Sequence, residues 1–141
     1  MDSESLVELL TEVQRGKISV SKAMARLRNL PFEDLGFAKV DHHRALRQGF
    51  SEVIMGQGKE PEEIAAIVRA LRRRKENVLV TRLSAKKMTL VKKLVSGLKY
   101  HAAAHAATWV GKTIRTTGKG TVLIVCAGTS DIPVAEEAAL T

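Results

Sequence analysis

Cysteine is almost missing from this chain: Cys126 stands alone, so no internal disulfide can form, which fits a reducing cytosol. Aromatic residues make up only 4% and leave Leu, Ile, Val and Ala to build the core. No apolar run approaches the ~18 residues needed to span a bilayer. The opening Met1-Asp2-Ser3-Glu4 is acidic and lacks the basic start of a secretory signal. These absences predict a cytoplasmic protein with no membrane partner. Internal repeats and low-complexity linkers are absent as well.

What is present supports a folded protein. Apolar residues reach 45% of 141, enough for a real core in one domain, or in a small domain plus part of another. Twenty-three basic residues against fifteen acidic ones give a net charge of +8, a field that favours nucleic acid, anionic lipid or a phosphorylated small molecule. The run Arg72-Arg73-Arg74-Lys75 is explained by a helix end, where cations are favoured. No aromatic stacking platform or groove-reading motif accompanies it, so nucleic acid is not the expected partner.

Leu6, Leu9, Leu10 and Val13 recur at helical spacing, and Gly16 is placed to end that helix. Ser19 can cap a second helix with Ala23, Leu27 and Leu30 inward, and Pro31 closes the hairpin. Brief strands are predicted near Phe37–Val40 and Glu52–Met55. Pro61, Glu62 and Glu63 suit a helix start, with Ile64, Ile67, Val68 and Leu71 on one face, giving a helix over 61–74. Val78-Leu79-Val80 reads as a buried strand. Ser84 caps a helix over 84–96 with Met88, Val91, Val95 and Leu98 inward. Gly118-Lys119-Gly120 marks a turn, and the uninterrupted apolar run Val122 to Cys126 predicts a central strand of a parallel sheet. A helix near Pro133 follows. The alternation of strand and helix predicts an α/β protein: a helical hairpin over 1–31, a small α+β leader domain over 32–117, and over 118–141 the first β-loop-α unit of a truncated parallel-sheet, flavodoxin-like domain.

Ala127-Gly128-Thr129-Ser130-Asp131 lies between that strand and helix, where free backbone N–H groups and the helix dipole favour an anion. Simple capping by Ser130 or Asp131 fits the same residues. Ala106 to Thr113 fits a relaxed phosphate-loop pattern, but bulky Trp109 and Val110 oppose backbone wrapping, and no buried strand is expected before it. His101 and His105 would share a helix face as metal ligands, but no third ligand accompanies them, nor does one complete Asp41-His42-His43. No protein-held metal site is expected. Cys126, on a buried strand, is expected to act as a small hydrophobe.

The stretch VLIVCAGTSDIPVAEEA resembles the first strand, phosphate loop and first helix of the aminoimidazole ribonucleotide carboxylases. Their Gly-Ser-x-Ser-Asp loop is matched by Ser130, Asp131 and Pro133, whereas Ala127 and Gly128 stand where that family has Gly and Ser. The upstream DLGFAKVDHHRALRQGFSEVIMGQGKEPEE resembles instead the leader domain of pyridinium biscarboxylate mononucleotide synthases of nickel-pincer cofactor biosynthesis, which serve lactate-racemase maturation. Ser51 departs from the proline expected before Glu52-Val53.

The resemblance implies a carboxylase and hydrolase acting on nicotinic acid adenine dinucleotide and carbon dioxide or bicarbonate, in a homo-oligomer. It implies no tightly bound cofactor, with a divalent cation such as Mg²⁺ serving the hydrolytic step. It places Gly128, Thr129 and Ser130 on a substrate phosphate and Asp131 at the ribose or reacting ring, with Arg44, Arg47, Lys59 and Arg82 as possible dinucleotide contacts. The family's cysteine nucleophile falls downstream of the loop, beyond Thr141, so the chain as given is expected to be inactive alone. Purine-pathway carboxylation and a basic, non-enzymatic binding module are the alternatives.

Overall fold

The periodicity at the start of the chain becomes two helices, α1 (Ser3–Gln14) and α2 (Val20–Leu27), in the computed structural model, which describes residues 3–27, 32–114 and 118–141. Gly16, at φ +66°, supplies the left-handed residue that ends α1. Ser19 Oγ accepts the Lys22 N–H at 3.3 Å at the start of α2. Leu9 and Ala23 are the buried positions, while Leu10, expected on the inner face, is 54% exposed. Two short helices share a seam narrower than the sequence period suggests. Leu30 and Pro31, expected to complete the hairpin, lie outside the described residues.

Contacts gather the chain into two units, Met1–Glu52 and Val53–Thr141. In the first, β1 (Phe32–Asp34) and β2 (Lys39–Asp41) form an antiparallel ribbon. Asp34 Oδ1 accepts the Gly36 N–H at 2.8 Å, and Gly36 takes φ +84°, so the turn consumes Phe37 and the second strand starts later than predicted. β1 itself was not expected. The short α3 (Arg44–Gln48) follows and ends at Gly49, φ +80°.

The second unit holds β3 (Val53–Met55), α4 (Pro61–Arg73), β4 (Val78–Thr81), α5 (Ala85–Leu94), β5 (Lys99–His101), β6 (Ala106–Trp109) and α6 (Ile132–Leu140). The sheet order is β3-β4-β6-β5, with β3 and β4 parallel and the remaining pairs antiparallel. The predicted α/β class is therefore what the chain adopts. Helix α4 starts as its sequence dictates: Glu63 Oε2 accepts the Glu60 N–H at 2.8 Å, and acidic residues occupy the positive end. Ile64, Ile67, Val68 and Leu71 are buried, as are Met88, Val91, Val95 and Leu98 from α5 and beyond. Each fully buried side chain of this size contributes about 1.5–3 kcal/mol of transfer free energy.

Two expectations fail here. The segment Lys99–Trp109 forms a β-hairpin that the sequence did not announce, because its inward residues Ala106 and Ala107 are weak strand formers and only pairing with β4 decides the matter. Conversely, Val122–Cys126 forms no strand. Val122, Leu123 and Val125 are at least 80% exposed, and none of the described strands offers them a ladder. A continuous apolar run becomes a central strand only where neighbours cover it. Cys126 is correspondingly exposed, not buried.

Candidate functional site

At the start of α6 the chain turns tightly, with the Asp131 N–H donating to the Gly128 carbonyl at 3.0 Å. The Asp131 carbonyl then accepts the N–H groups of Val134 and Ala135. Its carboxylate makes no capping bond. It folds back over Gly128 instead, so that a Cβ there would lie 3.1 Å from Asp131 Oδ2. Capping by Asp131, one of the two readings of this motif, is not how the side chain is used. Thr129, Ser130 and Asp131 are all exposed, and an exposed carboxylate beside free hydroxyls at a helix start is open to a ligand.

A second concentration of chemistry lies at the carboxyl end of the parallel pair β3/β4, the edge where open α/β sheets bind ligands. Gly56 leaves β3 by donating to the Thr81 carbonyl at 2.7 Å, and a Cβ at Gly56 would meet that oxygen at 3.0 Å. Gly58 then takes φ +78°. The Lys87 ammonium ties this turn to α5, donating to the carbonyls of Gly56 at 3.0 Å and Lys59 at 2.7 Å. Ser84 Oγ accepts the Lys87 N–H at 3.3 Å and caps α5. The predicted contact Lys59 belongs to this turn. Arg82 sits left-handed at φ +52° just after β4, with its carbonyl beside Gly56. Glu137 of α6 accepts the Arg82 N–H at 2.9 Å and lies 3.5 Å from its guanidinium. The two glycines and lysine between strand and helix are the sequence signal for this edge.

Arg44 and Arg47 lie on α3 in the first unit, so the four predicted basic contacts divide between two places. Arg44 is held by Glu52 at 3.8 Å and by the ring of Phe50 at 5.0 Å. Arg47 reaches Asp41 Oδ2 at 2.6 Å. The ribbon register explains what surrounds this pair. Phe32 is opposite Asp41 and Lys39 lies two residues from it, so all three share one face. Glu33, Val40 and His42 take the other, where Val40 and His42 are fully buried and His42 Nε2 meets Glu33 Oε2 at 3.0 Å. The first face lines an open cleft of about 310 Å³ bounded by Phe32, Lys39, Asp41 and Arg47. Burial pushes the Asp41 carboxyl up, but the Arg47 hydrogen bond and the backbone N–H groups of His43 and Arg44 outweigh it and hold its pKa below the ordinary value.

The remaining motifs resolve structurally. Ala106 to Trp109 of the phosphate-loop-like stretch is itself β6, so its first half is a strand and not a phosphate-wrapping loop. The N–H groups of Gly111 and Lys112 both donate to Asn77 Oδ1 at 2.9 Å, so they cradle a carboxamide and not a phosphate. His101 lies on β5 bonded to Thr108 Oγ1 at 2.8 Å, and His105 lies in the following turn, so they share no helix face. Among the described residues no three His, Cys, Asp or Glu side chains converge as metal ligands. No described helix is long and apolar enough to cross a membrane.

The family described as "LarB/PurE-like N-terminal domain" matches residues 32–111, more than half of the chain. An uncharacterized protein of Methanocaldococcus jannaschii is 30% identical over 146 aligned positions, which cover 96% of this chain and 55% of the relative. The chain thus spans about half the length of the curated relative it matches.

Proposed function

The chain belongs to the LarB/PurE-like N-terminal domain family, and from that premise we propose that the protein acts in nickel-pincer cofactor biosynthesis. In this reading it carboxylates the pyridinium ring of nicotinic acid adenine dinucleotide and hydrolyses the phosphoanhydride, leaving a mononucleotide and AMP. The observation that carries the reading is the family match over residues 32–111, which takes in most of the leader predicted over 32–117. Residues 32–117 are the leader domain in this reading, and Gly128, Thr129, Ser130 and Asp131 are the phosphate loop of the carboxylase part.

The chemistry sets specific demands. A pyridinium ring is electron-poor and cannot attack carbon dioxide, so a nucleophile adds first and converts it to an enamine-like carbon nucleophile. Cys126 does not align with the family's cysteine and is not assigned that role. The backbone of Gly128, Thr129 and Ser130 at the α6 start supplies donors for a phosphate. Asp131, exposed and without a capping bond, supplies an acceptor-only carboxylate for the ribose or the cationic ring. Mg²⁺ typically takes one or two carboxylates plus substrate phosphates, and Asp131 fits that share; the ion would neutralise charge on the phosphoanhydride during hydrolysis. A cytoplasmic homo-oligomer completes the proposal.

A second reading, carboxylation of aminoimidazole ribonucleotide, is favoured by Ser130, Asp131 and Pro133 alone. Purified full-length protein incubated with nicotinic acid adenine dinucleotide, bicarbonate and Mg²⁺ is expected to yield the biscarboxylated mononucleotide and AMP by mass spectrometry. No product from the dinucleotide, with turnover of aminoimidazole ribonucleotide in a parallel reaction, would transfer the assignment to the purine pathway. Inertness toward both would leave the basic binding module.

A further inference from the structure

We propose that the ribbon cleft of Phe32, Lys39, Asp41 and Arg47 binds a purine nucleoside monophosphate, the base on Phe32, the phosphate on Lys39 and Arg47, and the ribose hydroxyls on Asp41. The choice of a nucleotide as ligand rests on the dinucleotide reading above. The site itself rests on the ribbon.

Register and burial fix the face. Because Val40 and His42 are fully buried on the opposite side, the ribbon cannot turn over, and Phe32, Lys39 and Asp41 are held outward together. Phe32 is 47% exposed in a chain with only five aromatic residues, and a flat ring at a charged surface is a stacking platform for a base. The Lys39 ammonium rests over that ring at 5.1 Å, and among the described residues it has no carboxylate partner. A phosphate offers it a stronger partner than a ring face does, and its departure frees the ring for stacking. Arg47 is already aligned by Asp41 at 2.6 Å.

The cleft carries two cations and one carboxylate, and the partners of Asp41 hold its pKa below the ordinary value. Lys39 and Arg47 offer charge-assisted donors to an anionic phosphate, and Phe32 offers a ring face to a neutral base. Asp41 retains acceptor capacity for ribose hydroxyls, the role a carboxylate plays in dinucleotide folds. A volume of about 310 Å³ lies at the small end of ligand sites.

Titration of the ¹⁵N-labelled chain with AMP, and separately with inorganic phosphate, tests this. AMP is expected to give saturable shifts across 32–41 and at Arg47, with affinity at least tenfold above that of phosphate. Phe32→Leu is expected to weaken AMP at least fivefold and leave phosphate unchanged, whereas Lys39→Gln weakens both; the buried His42 signals report that each variant is folded. If Phe32→Leu fails to fold, the AMP-to-phosphate ratio in the wild type and the Lys39→Gln response decide the question. Absence of saturable AMP shifts at the ribbon, or equal affinity for AMP and phosphate, overturns the proposal. Shifts by the dinucleotide near Gly128–Asp131 without any at the ribbon would sink this site and leave the dinucleotide reading intact. AMP binding at the ribbon in a protein that never carboxylates the dinucleotide would do the reverse.

Discussion

Gly111 lies against the indole of Trp109, so closely that a Cβ at Gly111 would come within 2.6 Å of Trp109 Cη2 and 3.0 Å of the Lys75 carbonyl oxygen. The Arg72 guanidinium also packs on that ring, 4.8 Å from its centroid. The glycine that makes Gly111-Lys112-Thr113 look like a phosphate loop is thus required by packing. Gly111→Ala is expected to lower unfolding free energy by about 1–3 kcal/mol, the usual penalty of overpacking. Denaturant melts of Gly111→Ala, alone and combined with Trp109→Leu, check the cause: the double variant recovers most of the loss if the ring is the obstacle. Additive losses would point elsewhere.

Leu71 is fully buried on α4 among Ile64, Val68 and the strand residue Val80, themselves fully buried. Leu71→Ala is expected to cost about 2–5 kcal/mol, through lost transfer free energy and the cavity left behind. An unchanged urea midpoint would show that this face of α4 does not carry the core.

These two positions mark the limit of what the sequence disclosed. Leu71 was legible because four aliphatic side chains recur at helical spacing in a segment with a proline start, and local propensity and tertiary demand agree there. The hairpin carrying Trp109 was not legible, since its alanines and polar residues pack as strands only because β4 pairs with them. The apolar run Val122–Val125 misled for the opposite reason: strong strand propensity without a described partner leaves it exposed. Of the candidate residues, Asp131 stands out in the sequence as part of a small-residue turn before a helix, and the helix start is where the fold puts it. The separation of Arg44 and Arg47 from Lys59 and Arg82 depends on tertiary arrangement, which basic residue type does not encode.

Lys87 is expected to hold the turn at the carboxyl end of β3, since its ammonium donates to both Gly56 and Lys59 carbonyls. Hydrogen bonds to charged groups contribute up to about 1.5–3 kcal/mol net. Lys87→Met keeps the aliphatic stem and removes the charge, so a loss of about 1–3 kcal/mol is predicted, with faster amide exchange over 56–59. Protection of those amides at the wild-type level would show that the turn stands without its clamp.

Acid stability carries the signature of Asp41. Burial raises its pKa, but Arg47 and the backbone donors win, and the native value lies below the ordinary 3.8. A depressed carboxyl pKa means the unfolded chain binds the proton more tightly. The stabilisation is therefore present above about pH 3.8 and is lost as pH falls through the native value. Asp41→Asn is expected to lower stability at neutral pH and to narrow its gap to the wild type between about pH 4 and 2. Parallel stability curves over that range would rule out a depressed Asp41.

Asp131→Asn separates a ligand-directed carboxylate from a structural one. The side chain makes no capping bond in α6, and Asn caps helices about as well as Asp when called upon, so the fold is expected to survive unchanged. What the substitution removes is the negative charge and an acceptor-only group, and it introduces an amide donor where a ribose hydroxyl or cationic ring would meet an oxygen. If Asp131 positions the dinucleotide in the full-length enzyme, turnover is expected to fall by roughly a hundredfold or more, as when a preorganised group is withdrawn from a reacting centre. The comparison is made between proteins of equal melting temperature, so that damage to folding cannot imitate a lost contact. The split between kcat and KM then locates the effect: an equal fall in kcat and kcat/KM marks an interaction made in the transition state, and a rise in KM alone marks ground-state binding. Wild-type kinetics in a well-folded Asp131→Asn protein would remove this carboxylate from the reaction and leave the Gly128–Ser130 turn as a helix entry only.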